Sequence, residues 1–141
     1  MKIFKPDYQN YQGVRPINIY VLRIYFALMF FMMGQTAWTE IFTHTGEWEP
    51  IEAVTWCVWS AYATLSIMGI YNTLKMLPIV IFMVFYKILW LVVVAYPLWT
   101  ANALSGSSAE ELATIFTGAL VALPFIPWKY FFKTYIIPTK K

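Results

Sequence analysis

The sequence predicts an all-α, polytopic membrane protein: a four-transmembrane-helix bundle with both termini in the cytoplasm. The chain has 141 residues, of which 60% are hydrophobic and 12% are charged, whereas soluble domains are about half apolar and about a quarter charged. The apolar residues are concentrated in four long runs that are nearly free of charge. In lipid a helix satisfies its backbone polar groups within one segment, so each run is predicted to be a membrane-spanning helix.

Each predicted span is close to the roughly 20 residues that cross a hydrocarbon core of about 30 Å. The spans are predicted at residues 17–38, 53–71, 77–99 and 112–132. Pro16 and Pro78 lie where proline suits the first turn of a helix. Pro124 and Pro127 lie in the inner half of the fourth span, where the loss of a backbone donor is expected to kink the helix.

The charged residues of the loops sort by sign, and this sets the predicted orientation. One set of segments contains Lys2, Lys5, Arg15, Lys75, Lys129, Lys133, Lys140 and Lys141. The other two loops have no Lys or Arg and contain Glu40, Glu47, Glu49, Glu52, Glu110 and Glu111. By the positive-inside rule, residues 1–16 form a cytoplasmic arm and residues 133–141 a cytoplasmic basic tail, on either side of a transmembrane domain at 17–132.

We therefore predict a multi-pass protein of a cell inner membrane, with its N and C termini inside and the lipid bilayer as its first partner. The net charge of +3 is accounted for by this orientation, so no nucleic-acid partner is predicted. The first span begins with "PINIY" and ends with "AWT", and the third begins with "PIVIF" and ends with "LWT". These similarities predict two hairpins that form a parallel internal repeat, related by an axis along the membrane normal.

Two cations lie within the predicted spans, and no Asp or Glu accompanies them. A cation at the centre of a bilayer costs about 2.5–3.5 kcal/mol on insertion scales, so such a residue is a functional candidate by default. Arg23 lies six residues past Ile17, about 9 Å deep, and its side chain is expected to extend to the cytoplasmic interface. Lys87 lies ten residues past Leu77, about 15 Å deep, where water is out of reach.

The predicted ligand site is centred on Lys87 and also includes Arg23, Tyr62, Tyr86 and Trp90. Trp90 shares a helical face with Lys87, and Tyr62 lies at a comparable depth on the second span. Tyr86 is adjacent in sequence but points to another part of the helical wheel. Three arrangements would accommodate the amine: a neutral state, a bound polar or anionic ligand such as a lipid headgroup or quinone carbonyl, or a carboxylate from a second chain.

Neither a metal centre nor a hydrolytic site is predicted, and the sequence requires no cofactor. Glu40 and His44 are four residues apart at the outer end of the first span and are the candidates for a metal contact. A single histidine with this spacing matches no closed metal site. Because His44 is the only histidine in the chain, a Ser-His-Asp set has no support, and a binding role is favoured over an enzymatic one.

Five segments carry a resemblance to a family of small four-span bacterial inner-membrane proteins without assigned activity. They are "RPINIYVLR" (15–23), "GEWEP" (46–50), "MLPIV" (76–80), "YKILWLVVVAYPLW" (86–99) and "IPWKY" (126–130). The four-span plan, and Lys87 followed by Trp90 in the third span, are also similar to DoxX-type four-helix proteins. That second resemblance implies quinol oxidation or an accessory role in it.

The sequence supports three functional hypotheses. The first is a protein that binds a lipid-like, quinone-like or anionic ligand in an intramembrane pocket around Lys87. The second is a non-catalytic subunit or homo-oligomeric scaffold, in which another copy or another membrane subunit supplies the carboxylate that the spans lack. The third, which follows from the DoxX resemblance, is a component of a quinone-linked oxidoreductase.

Overall fold

The computed structural model describes residues 2–137 and shows an all-helical chain. Lys140 and Lys141, which the sequence places in the basic tail, lie outside the described residues. Within residues 2–137, pairing between extended segments is limited to a bridge between Asp7 and Val14. A short 3-10 turn at Lys2–Phe4 precedes this bridge, and every longer helix of the described chain follows it.

The helices are α1 at Pro16–Thr43, α2 at Pro50–Tyr71, α3 at Leu77–Thr100, α4 at Glu110–Phe125 and α5 at Trp128–Ile136. The first three are long and apolar enough to cross a membrane. A fourth crossing is available if α4 and α5 together form one bent span. Residues 2–137 therefore contain three or four helices that are candidate membrane spans by length and composition, as expected of a membrane protein. The first three predicted spans each fall on one helix, although α1 continues beyond residue 38 and α2 begins before residue 53.

The fourth predicted span, 112–132, is not one helix. Leu120–Phe125 winds as a 3-10 helix that includes Pro124, and Pro127 separates α4 from α5. The axes of the two helices differ by 75°. Proline removes a backbone donor and its ring collides with the preceding turn, so two prolines close together turn the expected kink into a break.

Helix starts follow from short-range hydrogen bonding and charge. The Glu49 carboxylate accepts a hydrogen bond of 2.7 Å from the Glu52 backbone N–H, and Pro50 occupies the first turn of α2. Glu110 and Glu111 lie in the first turn of α4. Carboxylates there are stabilised by the partial positive charge at a helix N-terminus, so the acidic loops suit the starts of the helices that follow them.

Two of the long helices contain a π-helical turn at matching positions. The turn covers Met29–Met33 in α1 and Leu91–Ala95 in α3. Each begins thirteen positions after the proline in the first turn of its helix, Pro16 or Pro78. This shared spacing is what the predicted internal repeat requires. Such turns occur most often at functional sites.

The buried core lies between α1, α2 and α3 and is closed by the inner half of α4. Leu22, Phe26, Leu77, Val80 and Met83 are completely buried. Many other large apolar side chains are exposed, and four of them are more than half exposed: Ile24, Phe31, Val93 and Val121. Exposed apolar surface on this scale is costly in water and favourable in hydrocarbon.

The position of α4 leaves an opening in the outer half of the bundle. Its inner segment, Leu120–Phe125, packs against both α1 and α3, whereas its outer segment, Glu110–Ala119, packs mainly against α3. The hydroxyl of Tyr25 on α1 donates 3.2 Å to the carbonyl oxygen of Ala119 at the point where the two segments meet. Toward the Glu110 end of α4, the space between α1 and α4 is a cavity.

We expect close packing of α1 against α2 to be sensitive to one methyl group. A Cβ at Gly69 would lie 2.3 Å from the ring of Phe26, whereas a Cβ at Gly118 would meet nothing within 4 Å. Gly69→Ala should lower the free energy of unfolding by about 1–3 kcal/mol through overpacking. The matched Gly118→Ala should be neutral or raise it by about 0.5–1 kcal/mol. Thermal unfolding of both variants in one mild detergent tests this, and equal midpoints would contradict the packing described.

Candidate functional site

A cavity with a volume of about 690 Å³ lies between α1, α2, α3 and α4. Volumes of about 300–1,000 Å³ are typical of small-molecule sites. Most of its lining is apolar, and the sulfur-containing and aromatic residues among it are Met29, Met32, Met33, Trp56, Trp59 and Phe116. The π turn of α1 supplies all three methionines. Methionine is flexible and polarisable, so such a wall adapts to ligands of different shape.

Lys87 contributes the only cationic side chain to this cavity. The residue is 6% exposed, and its Nζ lies 5.0 Å from the ring centroid of Phe116 and 6.0 Å from that of Tyr86. Across residues 2–137 the one ion pair joins His44 to Glu40, so no described carboxylate pairs with Lys87. The ring faces provide a partial electrostatic partner, but the three N–H donors of an ammonium group are left for a ligand.

An aromatic cluster stands behind Lys87 and fixes the ring beside it. Trp90 and Tyr86 both make edge-to-face contacts with Phe116, at centroid distances of 5.1 Å and 5.8 Å. The hydroxyls of Tyr62 and Tyr86 are hydrogen-bonded at 3.1 Å. Edge-to-face pairs are favourable beyond the area they bury, so α2, α3 and α4 hold the Phe116 ring in place as one unit.

The predicted site residues are therefore brought together only in part. Lys87 lines the cavity, while Tyr62, Tyr86 and Trp90 form the aromatic cluster behind it rather than its wall. Tyr86 lies nearer to the Lys87 amine than its place on the helical wheel suggests. The reason is that the long lysine stem extends past its own helix toward Phe116 on α4.

Arg23 does not share this cavity. Its Nε donates 3.3 Å to the hydroxyl of Thr73 at the start of the α2–α3 loop, and it lines a second, smaller cavity. A side chain on a helix leans toward the N-terminus of that helix. The Arg23 guanidinium accordingly lies at the end of the bundle where α1 begins, as expected for an interfacial cation.

Sequence reasoning missed four polar side chains that line the Lys87 cavity, one of which is the exposed Thr36 on α1. Glu111 and Ser108 lie at its outer rim and are exposed, and Tyr25 lies at its inner end. The sequence analysis uses Glu111 only to predict the membrane orientation of the chain. Glu111 lies five residues before Phe116 on the same helix. Tyr25 is the ninth residue after Pro16, as Lys87 is after Pro78. The internal repeat was therefore the available signal for Tyr25.

The candidates for a metal contact, Glu40 and His44, do lie together at the end of α1. Their side chains approach to 3.5 Å, and the His44 ring stacks on Trp48 with centroids 3.5 Å apart. No group of three His, Cys, Asp or Glu side chains within residues 2–137 is arranged to hold a metal ion. The two residues therefore make a helix-end contact in which the indole covers the imidazole.

The unpaired, buried Lys87 amine should lower the stability of the fold, so replacing it with an apolar group should raise the stability. We expect Lys87→Met to raise the free energy of unfolding of delipidated protein by about 1–3 kcal/mol, since methionine fills similar space without an unsatisfied polar head. Lys129→Met, at an exposed position, should change it by less than about 0.5 kcal/mol. Chemical denaturation in one detergent measures both. A loss of stability in Lys87→Met would mean that the amine makes a stabilising contact.

Comparison of the chain with known protein families, with curated proteins and with solved structures gave no match. The resemblance to small four-span bacterial proteins and to DoxX-type proteins therefore stays a prediction, and function is inferred from the cavity itself.

Proposed function

We propose that the chain is an integral membrane protein that binds an amphipathic ligand in the cavity around Lys87. The observation that carries this proposal is a buried lysine amine that forms no ion pair with a described carboxylate and faces a mostly apolar cavity, with Glu111 only at its exposed outer rim. A charged group in the membrane interior is expensive. A ligand whose polar or anionic head meets Lys87 would offset that cost, because it supplies the missing hydrogen-bond acceptors.

The shape of the cavity favours a lipid-like or quinone-like ligand over a compact anion. Its volume of about 690 Å³ exceeds what a small ion needs. Leu28, Met32 and Ile115 line it and are at the same time about half exposed or more on the outer surface of the bundle. In a bilayer these residues face the hydrocarbon, so a tail would enter between α1 and α4 from the side while its head reaches Lys87.

We further propose that the bundle crosses a bacterial inner membrane four times, with both termini in the cytoplasm. α4 and α5 together would form the fourth crossing, bent at Pro127, with α5 turned toward the inner surface. Trp128, Lys129 and Lys133 on α5 are residue types that favour the interface. The Tyr135 hydroxyl donates to the carbonyl oxygens of Leu74 and Lys75 at 2.8 Å and 3.0 Å, which supports a position of α5 beneath the α2–α3 loop.

A second candidate function is a subunit or homo-oligomeric scaffold in which another chain occupies the same cavity. The opening between α1 and α4 that would admit a tail would equally admit a helix. A carboxylate from a second copy or from another membrane subunit would then pair with Lys87. If the ligand of the first proposal is a quinone, the protein would be a DoxX-like component of a quinone-linked oxidoreductase.

Retention of ligand during purification tests the first proposal. Wild-type protein, Lys87→Met and the exposed control Lys129→Met would be purified in one mild detergent and examined by native mass spectrometry and analysis of their lipid extracts. We expect wild type and control to keep a bound lipid or quinone. Lys87→Met should retain about one tenth as much of that ligand. Equal retention by all three proteins would contradict a ligand site at Lys87. Loss of an oligomer from Lys87→Met, with no change in bound lipid, would favour the scaffold.

Accessibility of single cysteines tests the proposed orientation. Cys57 is the one cysteine of the chain, so Cys57→Ser provides a background without thiols. We expect Ser105→Cys in the α3–α4 loop to react with a membrane-impermeant maleimide in intact spheroplasts. Lys5→Cys in the N-terminal arm should react only after the membrane is opened, because the positive-inside rule places it in the cytoplasm. The opposite pattern would contradict the orientation.

A further inference from the structure

A second cavity lies at the end of the bundle where the N-terminal arm meets the α2–α3 loop. Its volume is about 180 Å³, below the range of about 300–1,000 Å³ typical of sites for larger small molecules. Arg23 and Lys75 both line it, together with polar groups from Tyr11, Gln12 and Asn72. The set of residues that lines it contains no Asp or Glu. Its size and charge suit a compact anion.

Arg23 is held in a fixed position at this cavity. Its Nε donates 3.3 Å to the Thr73 hydroxyl, which itself donates 2.9 Å to the carbonyl oxygen of Gly69. Thr73 is 3% exposed, so this chain of hydrogen bonds is sheltered from solvent. Among residues 2–137 no acceptor is bonded to the two Nη groups of Arg23. One edge of the guanidinium is thus anchored and the other edge is free for a ligand.

The N-terminal arm closes the cavity from the other side. The Asp7 backbone N–H donates 3.2 Å to the Val14 carbonyl oxygen, and the Gly13 N–H donates 2.8 Å to that of Asp7. Gln12 and Gly13 complete the loop with φ values of 53° and 83°, in the left-handed region that favours glycine. The loop presents Tyr11 and Gln12 to the cavity.

The nearest acidic residue of the arm is already engaged within that loop. Asp7 Oδ1 accepts from the backbone N–H groups of Gln9 and Asn10, at 3.0 Å and 2.9 Å, and Oδ2 accepts from the Asn10 side chain at 3.0 Å. These bonds, first those from Asn10, lower the pKa of the Asp7 carboxyl. The carboxylate is therefore committed to the loop and does not neutralise Arg23 or Lys75.

We propose that this cavity binds a phosphate group, carried either by an anionic phospholipid headgroup or by free phosphate. The planar guanidinium matches the spacing of phosphate oxygens and binds them in a bidentate manner. Lys75, exposed at the rim, adds a mobile positive charge. The site is separate from the Lys87 cavity, so it does not depend on the function proposed above. Its position at the end of the bundle bearing the arm is where phospholipid phosphates would lie.

The test measures binding by delipidated wild-type protein in a non-ionic detergent, using native mass spectrometry. The probes are a short-chain phosphatidylglycerol, the phosphatidylcholine of matching chain length, and inorganic phosphate. Arg23→Gln and Lys75→Gln remove the proposed charges. Arg15→Gln and Lys129→Gln are matched controls, because both residues are exposed and neither lines the cavity. Arg23→Lys keeps the positive charge but removes the bidentate donors of the guanidinium. It replaces Arg23→Gln in the test if that variant fails to fold.

We expect phosphatidylglycerol to bind wild type and both controls, with affinity reduced about tenfold in Arg23→Gln and less in Arg23→Lys and Lys75→Gln. If phosphatidylglycerol binds and inorganic phosphate does not, the result would support a lipid headgroup as the source of the phosphate. Binding of both with the same sensitivity to Arg23 would support a site for the free anion. Equal binding by Arg23→Gln and Arg15→Gln, or no binding of any probe, would overturn the proposal. Phosphatidylcholine carries the same phosphodiester, so its binding with the same loss in Arg23→Gln would support recognition of the phosphate itself.

Discussion

The constraint on which the site depends is the burial of a lysine amine between apolar helices with no described carboxylate within ion-pairing distance. Lys87 reaches across the bundle to the ring of Phe116 on α4, which is in turn held by Tyr86 and Trp90. This aromatic contact is weaker than a salt bridge at the same depth would be. The protein therefore contains an amine that forms no ion pair within residues 2–137, next to a cavity large enough to admit a partner and with the exposed Glu111 only at its outer rim.

Helix geometry explains why the cavity exists where it does. α4 packs on α1 mainly through its inner segment and on α3 along both segments, so α1 and α4 separate toward the Glu110 end. The π turn of α1 directs three methionines into the resulting space, and Pro124 and Pro127 turn the chain away after α4. The two cations of the spans are thereby divided between two cavities, with Lys87 in the larger one and Arg23 in the smaller one near the arm. The larger cavity has one cation in its lining and the smaller cavity has two, and the two cavities lie at different depths in the bundle.

Much of this was predictable from the sequence, and the remainder has a physical reason. The helical class and three of the spans followed from long apolar runs, and the anchoring position of Arg23 followed from its depth and the direction of its side chain. Phe116, Glu111 and Tyr25 could not be placed beside Lys87, because spacing along one helix does not say which neighbouring helix its face meets. The prolines predict a kink within one continuous helix, whereas the short spacing of Pro124 and Pro127 produces a break between α4 and α5. The number of crossings and the orientation remain predictions.

A structure of the wild-type protein in lipid nanodiscs, with the cavity around Lys87 resolved, tests the central claim most directly. We expect elongated non-protein density between α1 and α4, with a polar head within about 3 Å of the Lys87 Nζ. A cavity filled only by water or closed by repacked side chains would contradict the account. So would an amine that is paired with a carboxylate of a neighbouring chain.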